Sequence, residues 1–189
     1  MNIINKTLLA SSLALLASSA MATDGTIEFT GEILDSTCNF KVEEIRVELG
    51  HYGAKQFKRI GDRTPAIPVN IELENCPEGD WVHLEGNKDN SFQVWLETRS
   101  GGTTGANNDL VAVTSMEVPA EGVGIRIDSV KHNTQMALNK LNTPKISFTP
   151  EAGGTTIVAL QAYYVSTVEN TAIKPGEANA SVDVTIDYR

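Results

Sequence analysis

The chain has 189 residues and a formal net charge of −9, with 24 acidic against 15 basic side chains. That balance argues against nucleic acid and against anionic membrane surfaces as partners, since both call for clustered Lys and Arg. The length suits one domain with its own core.

In chain order, Lys6 is the only charge ahead of an apolar run at 8–17, which ends in Ala20-Met21-Ala22. The run is too short to hold across a hydrocarbon core of roughly 30 Å, and its small closing residues suit a signal peptidase. Residues 1–22 are therefore expected to be an export signal cut after Ala22. Next, Thr23, Gly25, Ile27, Phe29, Gly31 and Ile33 alternate with Asp24, Thr26, Glu28, Thr30 and Glu32. This is the rhythm of a half-buried strand at the tip of the mature chain.

Cys38 and Cys76 are the two cysteines. An even pair in a chain bound for an oxidising compartment predicts a disulfide, worth about 4 kcal/mol through loop closure. No Cys-x-x-Cys and no His cluster accompanies them, so a metal site is not expected. Ile45, Val47 and Leu49 alternate with polar residues, as do Ile67, Val69, Ile71 and Leu73. Further strands are expected at 81–84, 92–96, 110–118, 123–127, 145–148, 157–165 and 181–188. Turn-rich stretches at 100–109 and 151–154 separate some of them. One weak helical candidate falls at 133–141. About ten short strands with polar turns predict an all-β chain, either an antiparallel immunoglobulin-type sandwich or a small barrel. No internal repeat or second domain is visible.

Nothing in the sequence points to an enzyme or to a cofactor. His51, His83 and His132 are scattered, too few and too far apart for a metal-dependent β-sandwich enzyme. Gly122-Val123-Gly124-Ile125 lacks the third glycine and the strand-to-helix setting of a phosphate loop. Trp81 and Trp95 read most simply as core aromatics.

Seven pieces in order carry a resemblance. They are Gly25-Thr26-Ile27-Glu28-Phe29-Thr30-Gly31-Glu32-Ile33 running into Asp35-Ser36-Thr37-Cys38; Val47-Glu48-Leu49-Gly50; and Val69-Asn70-Ile71-Glu72-Leu73-Glu74-Asn75-Cys76. Then come Val123-Gly124-Ile125-Arg126-Ile127; Leu160-Gln161-Ala162-Tyr163-Tyr164; Pro175-Gly176-Glu177-Ala178-Asn179-Ala180; and Thr185-Ile186-Asp187-Tyr188-Arg189. Across essentially the whole mature sequence the chain resembles the type 1 fimbrial, or chaperone-usher pilus, subunit family. Tyr188 is penultimate and Gly176 is fourteenth from the C-terminus, as in that family's chaperone-recognition motif.

The resemblance implies an incomplete immunoglobulin-like sandwich, the pilin fold, lacking its last strand. An N-terminal donor strand at 23–33 would precede a pilin domain at 34–189. A groove beside the final strand would be filled first by a periplasmic chaperone and then by the N-terminal strand of a neighbouring subunit. Thr23, Gly25, Ile27, Phe29 and Gly31 form the implied inserted face. Taken alone, 23–33 is an ordinary edge strand, but Gly25 and Gly31 weaken such a strand and suit close backbone approach. Many subunits of this kind have more residues before this glycine, so the donor is short and its outermost contact falls to Thr23.

Gly176, Val182, Val184, Ile186, Tyr188 and the carboxylate of Arg189 form the implied chaperone and groove edge, although Tyr188 alone reads as a packed aromatic. The implied partners are neighbouring pilus subunits, the chaperone and an outer-membrane usher. The implied destination, through the periplasm, is a cell-surface fimbrium that supports adhesion. A tip adhesin would carry an additional N-terminal lectin domain and no donor strand, for which the chain lacks room. A minor adaptor, a terminator and a carbohydrate-binding subunit stay open as alternatives.

Overall fold

The computed structural model describes residues 37–83, 85–99, 101–114, 117–139 and 145–188. The expected signal at 1–22, the expected donor strand at 23–33 and Arg189 lie outside them.

Twelve strands form among the described residues: β1 (Asn39–Phe40), β2 (Ile67–Glu74), β3 (Trp81–Val82), β4 (Lys88–Asp89), β5 (Phe92–Thr98) and β6 (Thr103–Thr104). They continue as β7 (Leu110–Ala112), β8 (Val123–Ser129), β9 (Thr134–Gln135), β10 (Ser147–Phe148), β11 (Thr156–Ser166) and β12 (Val182–Asp187). One sheet runs β1-β2-β11-β8-β7-β6, with β9 also on β8; a second runs β10-β5-β12; β3 and β4 make a separate ribbon. Every strand pair is antiparallel.

The two-residue period decides which side chains meet. Ile71 and Leu73 of β2, Val158 and Leu160 of β11, and Ile125 and Ile127 of β8 share one buried cluster with Phe92, Val94 and Leu96 of β5 and Phe148 of β10. Each polar neighbour along β2 and β5 points away from that cluster, as the pleat requires. A disulfide joins Cys38 to Cys76, with their Cα atoms 3.9 Å apart. It ties the entry of β1 to the end of β2, where Asn39 already pairs with Glu74.

Three expectations are corrected. The alternation at 45–49 forms no strand, because that segment finds no hydrogen-bonded neighbour strand among the described residues. The strand expected over 110–118 stops at Ala112. Beyond it, Thr114, Pro119 and Glu121 make isolated bridges to Asn179, Glu177 and Lys174, carrying the chain across to the segment before β12. The helical candidate at 133–141 instead opens on Asn133 with φ at 48°, a left-handed residue that ends helical continuation, and returns to β8 as β9. Met136 and Leu138 then enter the core without helical spacing.

Candidate functional site: an open groove beside the last strand

Strand β12 is a two-residue pattern, Val182-Asp183-Val184-Thr185-Ile186-Asp187, paired along one side with β5 from Val182↔Thr98 to Asp187↔Gln93. It ends the order β10-β5-β12, so its other side faces no further strand among the described residues. Val182, Val184 and Ile186 pack against the core yet are only partly buried. A strand edge combined with half-covered core side chains is an aggregation hazard unless something covers it.

Across from β12 runs segment 42–52, which forms no strand. Between the two lies a groove of about 1230 Å³ whose floor includes Ile71, Leu96, Ile125, Ile127 and Leu160. Ile45 is 40% exposed and Val47 37% exposed, high values for side chains that line an apolar groove. The groove is thus walled by the open edge of β12 on one side and by a segment without strand pairing on the other, and is floored by the domain's own core.

Both ends of the groove are tied. At one, Cys38 N–H donates to the Tyr188 hydroxyl at 2.7 Å. The Tyr188 ring meets Trp81 edge-on at 5.3 Å and lies 6.0 Å from Phe92. Burial pushes the Tyr188 phenol above its ordinary value, with the Cys38 hydrogen bond acting the other way. At the other end, Tyr164 donates from its hydroxyl to Ala178 C=O at 2.8 Å, and its ring meets Tyr52 at 6.2 Å. Glu177 N–H donates to Val118 C=O and Ala120 N–H to Glu177 C=O, each at 2.8 Å. Gly176 sits where those backbones cross: a Cβ there would lie 2.5 Å from Val118 O and 2.6 Å from Ala120 N. Only glycine fits without moving main chain.

The rim is charged. Glu44 pairs with Arg46 Nε at 3.1 Å, Arg99 Nε donates to Asp183 Oδ1 at 2.8 Å, and Lys174 meets Glu121 at 2.7 Å. Glu48 is exposed on the same wall as Glu44. The Asp183 partner raises the Arg99 guanidinium, and Glu44 adds to that effect from across the groove.

Of the residues singled out in the sequence, Gly176, Val182 and Val184 line the groove, while Ile186 packs on the same core and Tyr188 anchors the strand's exit. Thr23, Gly25, Ile27, Phe29, Gly31 and Arg189 fall outside the described residues. The opposite wall was missed as such: the alternation of Ile45, Val47 and Leu49 was its signal, taken for an ordinary strand. Arg99 and Tyr164 were missed as well, since their contacts with Asp183 and Ala178 leave no local pattern.

A second polar cluster lies on the far face of the larger sheet. Tyr163 donates to Asp128 Oδ2 at 2.7 Å, Arg126 Nε donates to Asp128 Oδ1 at 2.8 Å, and Arg63 lies over the Tyr163 ring at 5.5 Å. The carboxylate is buried and doubly bonded, a satisfied structural network. Among the described residues no three His, Cys, Asp or Glu gather as a metal site.

The family model for fimbrial protein matches residues 27–189. The fimbrial-like protein YraH of Escherichia coli K12 is 48% identical, over 100% of this chain and 100% of the relative. A type-1 fimbrial protein subunit of Serratia marcescens is 32% identical, over 94% of this chain and 93% of its own length. A solved chaperone-usher pilus structure, 14% identical, superposes with a TM-score of 0.60 over 88% of this chain and 96% of that one. The last match gives the fold, the immunoglobulin-like sandwich of pilins. The chain belongs to the fimbrial protein family.

Proposed function

We propose that this subunit polymerises by donor-strand exchange. After the signal at 1–22 is removed, the domain at 34–189 crosses the periplasm with a chaperone strand along β12. An outer-membrane usher then brings in the 23–33 strand of a neighbouring subunit, and the fibre at the cell surface supports adhesion. The inserted face would be Thr23, Gly25, Ile27, Phe29 and Gly31. The observation that carries this reading is the groove: β12 offers a strand edge on one wall, Ile45 and Val47 stand half exposed on the other, and the floor is apolar. An extended strand with alternating apolar side chains is the shape that satisfies both walls at once. An open groove also favours a subunit that accepts a donor over a terminator closed to one.

Burying Phe29 or Ile27 contributes about 1.5–3 kcal/mol each. Phe29→Ala should therefore weaken addition behind another subunit by roughly 10- to 150-fold while leaving the chaperone-bound subunit folded. Ile27→Asp and Gly25→Leu should also block it, by charge burial and by bulk. Purified chaperone complexes mixed with a tip-proximal subunit, followed by gel filtration, give the measurement. Normal polymerisation of Phe29→Ala removes the basis for the proposal.

A further inference from the structure

We infer that successive copies of this subunit make a second contact, outside the groove. The basic loop at 55–63 of one copy receives the acidic ribbon at 74–89 of the copy whose strand fills its groove. The inference rests on the strand-exchange reading above.

The loop comes just before β2 and carries Lys55, Lys58, Arg59 and Arg63 against one acid, Asp62, in a chain whose net charge is −9. Asp62 is occupied within the loop, its Oδ2 accepting from Lys58 N–H at 2.7 Å and from Arg59 N–H at 3.0 Å. The turn is fixed to the end of β11. Gly61 N–H donates to Ser166 C=O and Ser166 N–H to Asp62 C=O, each at 2.9 Å, while Ser166 Oγ donates to Arg59 C=O at 2.6 Å. Lys55, Lys58 and Arg59 are exposed and make no ion pair among the described residues. Ile60 stands beside them, 61% exposed. Glu169, next to the turn at 170–172 that packs on 54–56, and Glu177 are the other acids at this end, and Lys174 is bound to Glu121.

At the far end of β2, about 23 Å away along an eight-residue strand, the sign reverses. Glu74, Glu78, Asp80 and Glu85 are exposed around Val82, itself 53% exposed. Glu78, Asp80 and Glu85 make no ion pair among the described residues, while Asp89 holds His83 at 2.9 Å. The cations here are Lys88, Lys131 after β8, and Lys41, which is bound to Glu72; Glu151 and Asp187 add to the acids.

The groove runs between the same two ends. Strand β12 leaves the Tyr164–Ala178 contact, beside the basic loop because Thr64 N–H donates to Tyr164 C=O, and finishes at the Cys38–Tyr188 bond, where the domain is entered. Every strand pair in the domain is antiparallel, so a donor strand that continues the pattern sets its Ile33 at the Tyr164 end. Only residues 34–37 then link Ile33 to Cys38 of its own domain, a reach of at most about 18 Å. The donor copy therefore presents its Cys38 end, with the acidic ribbon, to the acceptor's basic loop. A parallel strand would set acidic end against acidic end. Opposite signs on opposite ends make the contact heterologous, and its repetition extends a filament.

The test pairs two measurements. In the first, a strand-fused chain, the full mature chain with residues 23–33 appended after Arg189 through a flexible linker, is unfolded in denaturant with and without Lys58→Glu and Arg59→Glu. The fused chain is expected to gain stability over the unfused one, and the loop substitutions to leave that gain unchanged. In the second, chaperone complexes of the full mature chain are mixed, the acceptor labelled and carrying Gly25→Leu so that it cannot donate, and labelled dimer is followed by gel filtration. Lys58→Glu with Arg59→Glu in the acceptor should slow dimer formation about tenfold at about 10 mM salt and not at about 1 M, where the Debye length falls from roughly 30 Å to 3 Å. A donor bearing Glu78→Lys and Asp80→Lys should recover at least threefold of the loss. Equal rates at low salt overturn the inference, and so does a loss that the donor substitutions fail to recover. A loop effect on the fused chain's gain also overturns it, by placing the effect in the groove. If the strand-fused chain is no more stable than the unfused one, the strand-exchange reading itself fails and this inference with it.

Discussion

Tyr188 offers the sharpest test of how the groove is held, because its hydroxyl and its ring can be removed separately. The hydroxyl accepts from Cys38 N–H at 2.7 Å, and Cys38 is buried beside the disulfide. Tyr188→Phe keeps the ring but strands that amide, which costs about 1–3 kcal/mol for a buried donor left without an acceptor. Tyr188→Ala loses the ring contacts with Trp81 and Phe92 as well. A fully buried aromatic truncation costs roughly 3–5 kcal/mol; a ring buried about half adds about 2 kcal/mol to the hydrogen-bond loss. Urea unfolding of the strand-fused chain, followed by tryptophan fluorescence, should therefore order the three as wild type, Phe, Ala, in two distinct steps. A Tyr188→Phe midpoint equal to wild type would refute the anchoring role and leave chaperone recognition as the reason for the residue. If the anchor holds, a low periplasmic yield of Tyr188→Ala reflects loss of the domain's own closure before any partner is involved.

Gly176→Ala should destabilise the chain by about 1–3 kcal/mol even without a chaperone, because the added Cβ meets three backbone atoms at 2.5–2.6 Å; an unchanged unfolding midpoint would show that the crossing can relax. Reducing the Cys38–Cys76 bond, which spans a sequence separation of 38, should cost about 4 kcal/mol and shift the midpoint accordingly. Tyr163, Tyr164 and Tyr188 all have phenols raised chiefly by burial. Their neutral forms thus contribute stability that is complete below about pH 10, the value for an exposed tyrosine, and is lost as pH climbs through the higher folded values. In a Tyr52→Phe chain, which leaves only these three phenols, tyrosinate absorbance should rise together with unfolding in that alkaline range, and a rise that precedes unfolding would contradict it.

The long strands were legible because each buries one face. Val69, Ile71 and Leu73 in β2 and Val158 and Leu160 in β11 carry the two-residue period into the core, and the expected bounds fall within two residues of those found. Two-residue strands such as β1, β4, β6 and β9 were not, since they exist only through pairing with distant chain and carry too few residues for a period. The Cys38–Tyr188 hydrogen bond joins positions 150 apart, and nothing local announces it. Gly176 was singled out for its place before the C-terminus, while its steric reason, the crossing of 118–120, depends on a contact no sequence pattern encodes. The segment at 45–49 is the most instructive miss. Its alternation correctly gives the inward side chains, but alternation says nothing about whether a neighbouring strand is supplied by the same chain.

That separation between side-chain period and strand pairing explains how a domain can be stable and unfinished together. The floor of the groove is already dry: Ile71, Leu96 and Leu160 are buried by the packing of the two sheets. Their contribution is secured before any partner arrives. The walls are different, since Val182, Val184, Ile45 and Val47 keep apolar surface exposed, and each Å² covered later yields about 25 cal/mol. The disulfide and Tyr188 at one end, with Gly176 and Tyr164 at the other, hold those walls in place. Substitutions should sort accordingly. Leu160→Ala should unfold the subunit whether or not a strand is bound. Val184→Ala should leave the unoccupied domain nearly as stable as before, yet weaken the strand-fused form by about 1 kcal/mol or more. A Val184→Ala loss of equal size in both forms would mean that the wall is part of the finished core, and that the groove holds no energy in reserve for assembly.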